Sequence, residues 1–132
     1  MHKAIQTNRT EDIACPYLDN PTPVCTMNVA FPYPLRNAVN GHLTDLPETL
    51  SDVDKAYSHF RFISKLGLKA ITGVVDADGN KLAWEGDEVS EDALDTLSEI
   101  KLPSKSGYDS LLTWLGAEIW RRNTLDEGAG KN

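Results

Sequence analysis

A chain of 132 residues, 40% hydrophobic and 25% charged, has the length of one domain and ordinary globular composition, which excludes a disordered or collagen-like chain. Thirteen Lys and Arg against twenty Asp and Glu leave a net charge of −7, the wrong sign for a protein that tracks phosphates, so no direct binding of nucleic acid is expected. Residues Met1 to Arg9 hold no signal-like apolar stretch and no run approaches the ~18 apolar residues that cross a bilayer, so a cytoplasmic protein without a membrane partner is expected.

Residues 1–47 carry six of the seven prolines, namely Pro16, Pro21, Pro23, Pro32, Pro34 and Pro47. Each fixes φ, removes a donor and pushes its predecessor out of the helical region, which predicts an extended, loop-rich arm. One strand stands out within it. Over Val24 to Phe31 the apolar residues Cys25, Met27, Val29 and Phe31 alternate, and Pro23 and Pro32 bracket the run as they would a short or edge strand. Tyr33 to Gly41 then reads as a segment that turns the chain back. Cys15 and Cys25, in a chain expected to be unsecreted, read as two reduced buried thiols, with a disulfide as the alternative.

From Ser51 the period changes to that of a helix over 52–66. Ser51 and Asp54 have capping-box spacing, and Val53, Ala56, Tyr57, Phe60 and Ile63 fall within about 120° on the wheel. Gly67 is the expected stop, through the left-handed conformation open to glycine. Phe62 lies on the far face, where it meets a second element or is exposed. A hairpin near 70–85 follows, with Ala70 to Val75 and Lys81 to Trp84 flanking Asp76-Ala77-Asp78-Gly79-Asn80. Asp76, Asp78 and Asn80 mimic the start of a calcium loop, but Lys81 stands where such a loop requires glycine and Asp87 where it requires a bidentate Glu. A plain turn is the better reading.

Ser90 caps a helix near 90–101, with Glu91 and Asp92 at its positive end and Leu94, Leu97 and Ile100 as its stripe. Ser106 and Asp109 repeat the capping-box spacing before a last helix near 107–122, in which Tyr108, Leu111, Leu112, Leu115 and Ile119 cluster. Residues 124–132 read as a flexible tail. The expected fold is therefore α+β: a small single domain of three helices with a β-hairpin or small antiparallel sheet, a core over 48–123, and the extended N-terminal arm. The arm's strand can join the hairpin in a three-stranded sheet, because a lone hairpin is marginal.

Chemistry is sparsely signalled. The chain has no Gly-rich phosphate loop, no nucleophile elbow and no His-Glu-x-x-His. His2, His42 and His59 are scattered without ligand spacing, and His59 is expected on a solvated flank of its helix. A nucleophilic Cys15 needs a histidine that spacing alone does not identify. The expectation is no catalytic residue, no metal, no cofactor and no enzymatic activity. Two surface features remain. Residues 76–99 carry nine acids against Lys81 alone, and Asp87, Glu88, Glu91, Asp92 and Asp95 are the candidate acidic face, read either as solvated charge or as a surface that docks on a basic partner. Trp114 and Trp120 diverge around the last helix; with Arg121 beside them and Phe62 on the earlier helix, they are the candidate protein interface, the equal alternative being an off-stripe indole covered by the proline-rich arm.

The segment Gly73-Val74-Val75-Asp76-Ala77-Asp78-Gly79-Asn80-Lys81-Leu82-Ala83-Trp84, followed by paired helices and the ending Ala117-Glu118-Ile119-Trp120-Arg121-Arg122-Asn123-Thr124-Leu125-Asp126-Glu127 with terminal Lys131-Asn132, resembles small tail-assembly chaperones and related tail-gene products of long-tailed bacteriophages. The resemblance covers less than half the chain. Asn123 stands where that pattern usually has Ser, Gly128 interrupts the acidic ending, and residues 1–47 have no counterpart. It implies a non-catalytic protein of the infected bacterial cytoplasm that binds the tail tube subunit or the tape-measure protein, hides its apolar surface, and leaves as the tube polymerises. An acidic inhibitor that replaces nucleic acid on a host protein, or a structural virion component, are the alternatives; homo-oligomerisation is compatible with each.

Overall fold

The computed structural model describes residues 2, 3 and 6–129, the side chains of 125–129 excepted. It is a small α+β domain whose described residues form four α-helices and a three-stranded antiparallel sheet. The strands are β1 (Thr10–Ala14), β2 (Val24–Asn28) and β3 (Leu68–Thr72), in the order β1-β2-β3. Ile13 faces Cys25 and Thr26 faces Asp12 across the first pair, and the second pair aligns Cys25 with Ile71 before slipping register between Thr26 and Met27.

The proline-rich segment is thus no appendage. Its predicted strand is the middle of the sheet, with Cys25 and Met27 fully buried, and the inward alternation continues past the strand's end into Val29 and Phe31. Pro23 and Pro32 bracket the strand without interrupting its ladder. As expected, the arm's strand joins the first strand of the hairpin, β2 pairing with β3; the third strand is corrected, because it is β1, while the second arm of the expected hairpin is reduced to a bridge between Val75 and Lys81. Asp76 accounts for the tight turn. Its Oδ1 accepts from the amides of Asp78 and Asn80 at 2.9 and 3.0 Å.

Helix α1 (Tyr33–Asp45) replaces the predicted turn. Pro32 is its N-cap and Pro34 sits in its first turn, where the missing N–H would have had no intrahelical partner and the fixed φ suits a helix. Helix α2 (Asp52–Gly67) starts as predicted, with the Ser51 hydroxyl accepting from the Asp54 amide at 3.1 Å. Gly67 closes it for a reason other than the expected one. The chain passes directly into β3, and a Cβ at 67 would meet Ile119 at 2.8 Å and Phe31 at 3.1 Å, so glycine is there to let helix and core touch.

Helix α3 (Glu91–Glu99) carries the expected Ser90 cap, bonded to the Ala93 amide, and buries Leu94 and Leu97. The last helix, α4 (Leu111–Ala129), starts later than 107 and runs past 122. Ser106 instead ends a short 3-10 turn, its hydroxyl accepting from the Tyr108 amide, while Ser110 and Thr113 exchange hydrogen bonds at the true helix start. The expected tail beyond 129 lies outside the described residues.

Core packing converges on α4. Leu111, Leu112, Leu115 and Ile119 are fully buried, and Gly116 brings its backbone against Phe60 of α2. A buried amide then pins the helix to the sheet. Asn123 Oδ1 accepts from the Phe31 amide at 2.7 Å, and its Nδ2 donates to the carbonyls of Asn28 and Ile119 at 3.0 and 2.9 Å.

Candidate functional site

Trp114 is only 3% exposed and packs in the core. This corrects its place among the interface residues: α4 meets α2, α3 and β2 together, so its buried sector is wider than one stripe and takes in the indole. Trp120 is half-buried and packs against the same core. Phe62 meets a second element and is not left to solvent. The His42 imidazole of α1 stacks flat on its ring, centroids 4.3 Å apart and planes 2° from parallel. Arg121 is exposed and engages Glu118, which also accepts from Arg122 Nε at 2.9 Å. Burial pulls the Glu118 carboxyl up, but the two guanidiniums outweigh it and hold the group below the ordinary glutamate value.

The five acids of the candidate face are not left together as one open surface. Arg61 of α2 reaches Glu91 at 2.6 Å and Asp95 at 2.8 Å, and Lys65 lies 3.2 Å from Glu91 and 3.5 Å from Glu88. The hydrogen bond from Arg61, reinforced by Lys65, lowers the Glu91 pKa. These pairs clamp the start of α3 to the middle of α2, leaving Asp87 and Asp92 as exposed acids beside the network.

Beside Phe62, His42 Nε2 stands 3.1 Å from the Ser58 hydroxyl, at a cleft of about 180 Å³ bordered by Arg61, Lys65 and Glu91. A hydroxyl beside an imidazole is the first element of an activated nucleophile, and here the ring is held by the flat face of Phe62. His59 is corrected from a solvated flank to a half-buried place. Its Nδ1 is buried without a partner, and burial, followed by the charge of His42, pushes its pKa down. Cys15 and Cys25 are free thiols, both fully buried on one face of the β1–β2 pair. Burial, with Cys15 adding a smaller effect, pushes the Cys25 thiol up to about 12.

One surface escaped the sequence reading. The stripe of α2 is core only in its second half: Ile63 is fully buried, but Val53 is 77% and Tyr57 36% exposed. Together with Ala56, Phe60 and Tyr108 they floor a groove of about 460 Å³ between the first turns of α2 and residues 107–113. The cause lies in the start of α4. Because that helix begins at Leu111, it does not extend over the Val53 and Tyr57 side of the opening turns of α2. Helical periodicity identifies which face is apolar, but not how far along it a neighbour extends.

Among the described residues, no group of three or more His, Cys, Asp or Glu is placed to hold a metal ion, and no helix is long and apolar enough to cross a membrane. No protein-family model, curated protein or solved structure matches the chain.

Proposed function

We propose that this chain is a non-catalytic binding protein of the tail-assembly-chaperone kind, acting in the infected bacterial cytoplasm on the tail tube subunit or the tape-measure protein before either polymerises. The observation that carries the reading is the open apolar face of α2. Val53 and Tyr57 lie on an otherwise well-capped helix and are left uncovered by the rest of the fold. Such a face with a polar rim suits reversible contact with another protein's apolar surface. The resemblance of residues 73–132 to small phage tail-assembly proteins supplies the class of partner. An inhibitor that mimics nucleic acid is the weaker reading, because Glu88, Glu91 and Asp95 face Arg61 and Lys65 of the same chain.

The test is co-expression of the full chain with a phage tail tube subunit, and separately with a tape-measure protein. The reading expects one of them to become soluble and to co-purify in about 1 M salt, where charge–charge attraction is screened within about 3 Å. Retention of neither, or retention that vanishes with salt, contradicts it.

A further inference from the structure

We infer that the groove between the opening turns of α2 and residues 107–113 is the docking site, and that its occupant is a partner segment carrying apolar side chains flanked by Lys or Arg. This rests on the protein-binding reading above and adds to it the place and the chemistry of the contact. The volume, about 460 Å³, is that of a site able to enclose side chains, and the floor is supplied by Val53, Tyr57, Phe60 and Tyr108. Charge selects among occupants. The lining includes two carboxylates, Asp54 and Asp109, and no cation. Asp52, in the first turn of α2, adds a third acid at the same end of the helix, Lys55 being the one cation of that turn, and the chain as a whole carries −7. Lys101 approaches Asp109 only to 3.7 Å, with both side chains largely exposed, and a surface pair of that kind leaves the carboxylate open to a competing cation. An acidic or neutral segment would bring apolar contact without charge complementarity, whereas a basic amphipathic one satisfies floor and rim together.

A second copy of this chain is the poorer occupant, because its own groove is equally acidic and the two rims would repel. The hydroxyl of Tyr57 accepts from Arg61 at 3.1 Å, so the floor is fixed to the same network that ties α2 to α3. The groove is therefore held in shape before a partner arrives.

The experiment uses the full chain and a short fluorescein-labelled amphipathic peptide of leucine, alanine and lysine, with the glutamate-for-lysine peptide as its counterpart. Fluorescence anisotropy is expected to show saturable binding of the lysine peptide and none of the glutamate one. Val53→Gln, at a site too exposed to disturb folding, is expected to weaken binding by about tenfold, as is the pair Asp54→Asn and Asp109→Asn. Asp87→Asn with Asp92→Asn, which removes as much charge elsewhere, is expected to leave it unchanged. Equal weakening by both charge pairs, binding of both peptides alike, or indifference to Val53→Gln overturns the groove. So does a dimer of the free chain that Val53→Gln dissociates. Capture of the tube or tape-measure protein that survives Val53→Gln also overturns it while sparing the protein-binding reading. Failure of the wild-type chain to capture either counts against that reading and leaves the peptide result to judge the groove.

Discussion

Gly116→Ala tests the packing on which the fold depends. A Cβ at 116 would stand 2.6 Å from Phe60 Cβ and 2.7 Å from Phe60 Cα, and closer still to the Phe60 carbonyl oxygen. Carbon atoms in ordinary contact sit about 3.5–4.0 Å apart, so α2 and α4 must separate by about 1 Å. The obstruction is mostly the backbone of α2, which no change of rotamer can move aside. Overpacking of this kind costs about 1–3 kcal/mol, and the upper part of that range applies to a backbone clash. Alanine returns about 1 kcal/mol through its better helix propensity. The net expectation is a loss of about 1–2 kcal/mol, or about 3–10 °C in Tm for a domain of this size. Gly41 supplies the control. It lies within α1 with nothing inside 4 Å of its missing Cβ, so Gly41→Ala is expected to stabilise through propensity alone. Urea unfolding followed by circular dichroism and indole fluorescence reads both variants. If Gly116→Ala matches the wild type, or shifts in the same direction as Gly41→Ala, the close crossing of α2 and α4 is refuted.

Three further outcomes follow from buried groups. Asn123→Ala strips partners from the buried Phe31 amide and Asn28 carbonyl, and a loss of about 2–4 kcal/mol is expected in the same urea assay; an effect below about 1 kcal/mol would mean the clamp is not closed in solution. His59 has a depressed pKa in the fold, so the unfolded chain binds its proton first; stability is full above the ordinary value of 6.5 and declines as pH falls through the folded pKa. Thermal melts of His59→Leu between about pH 7 and pH 5 are expected to decline less steeply than those of the wild type. Cys15 and Cys25 are expected to resist a thiol reagent in native buffer at neutral pH and to react at once in denaturant, whereas rapid native labelling of Cys25 contradicts its burial and raised pKa.

How much of this was legible depended on whether the cause was local. The starts of α2 and α3 are set by Ser51 and Ser90, each bonding an amide three residues on, and the spacing alone reveals them. The inward alternation of β2 is local in the same way. Helix α1 was hidden by the ambiguity of proline, which ends a helix from its interior yet opens one from the first turn, as Pro34 does. Strand β1 was hidden because Thr-Glu-Asp-Ile-Ala has little strand character of its own; its pairing with β2, set by residues ten or more positions away, makes it a strand. Gly116 and Asn123 gave no signal at all, since their roles exist only once Phe60, Phe31 and Asn28 arrive beside them. The site suffered the same way. Trp114 sits at the edge of its stripe on a wheel and is buried by three neighbours, while Val53 sits within its stripe and is exposed for want of one.

The most direct measurement of the central claim is amide hydrogen exchange of the full chain, alone and with the proposed partner, a tail tube subunit or tape-measure protein, added. Contact through the open face of α2 predicts slowed exchange over residues 52–60 and 107–113, with the buried core of α4 unchanged. Slowing confined to residues 87–95 or to the exposed flank around Arg121, with 52–60 untouched, would contradict it.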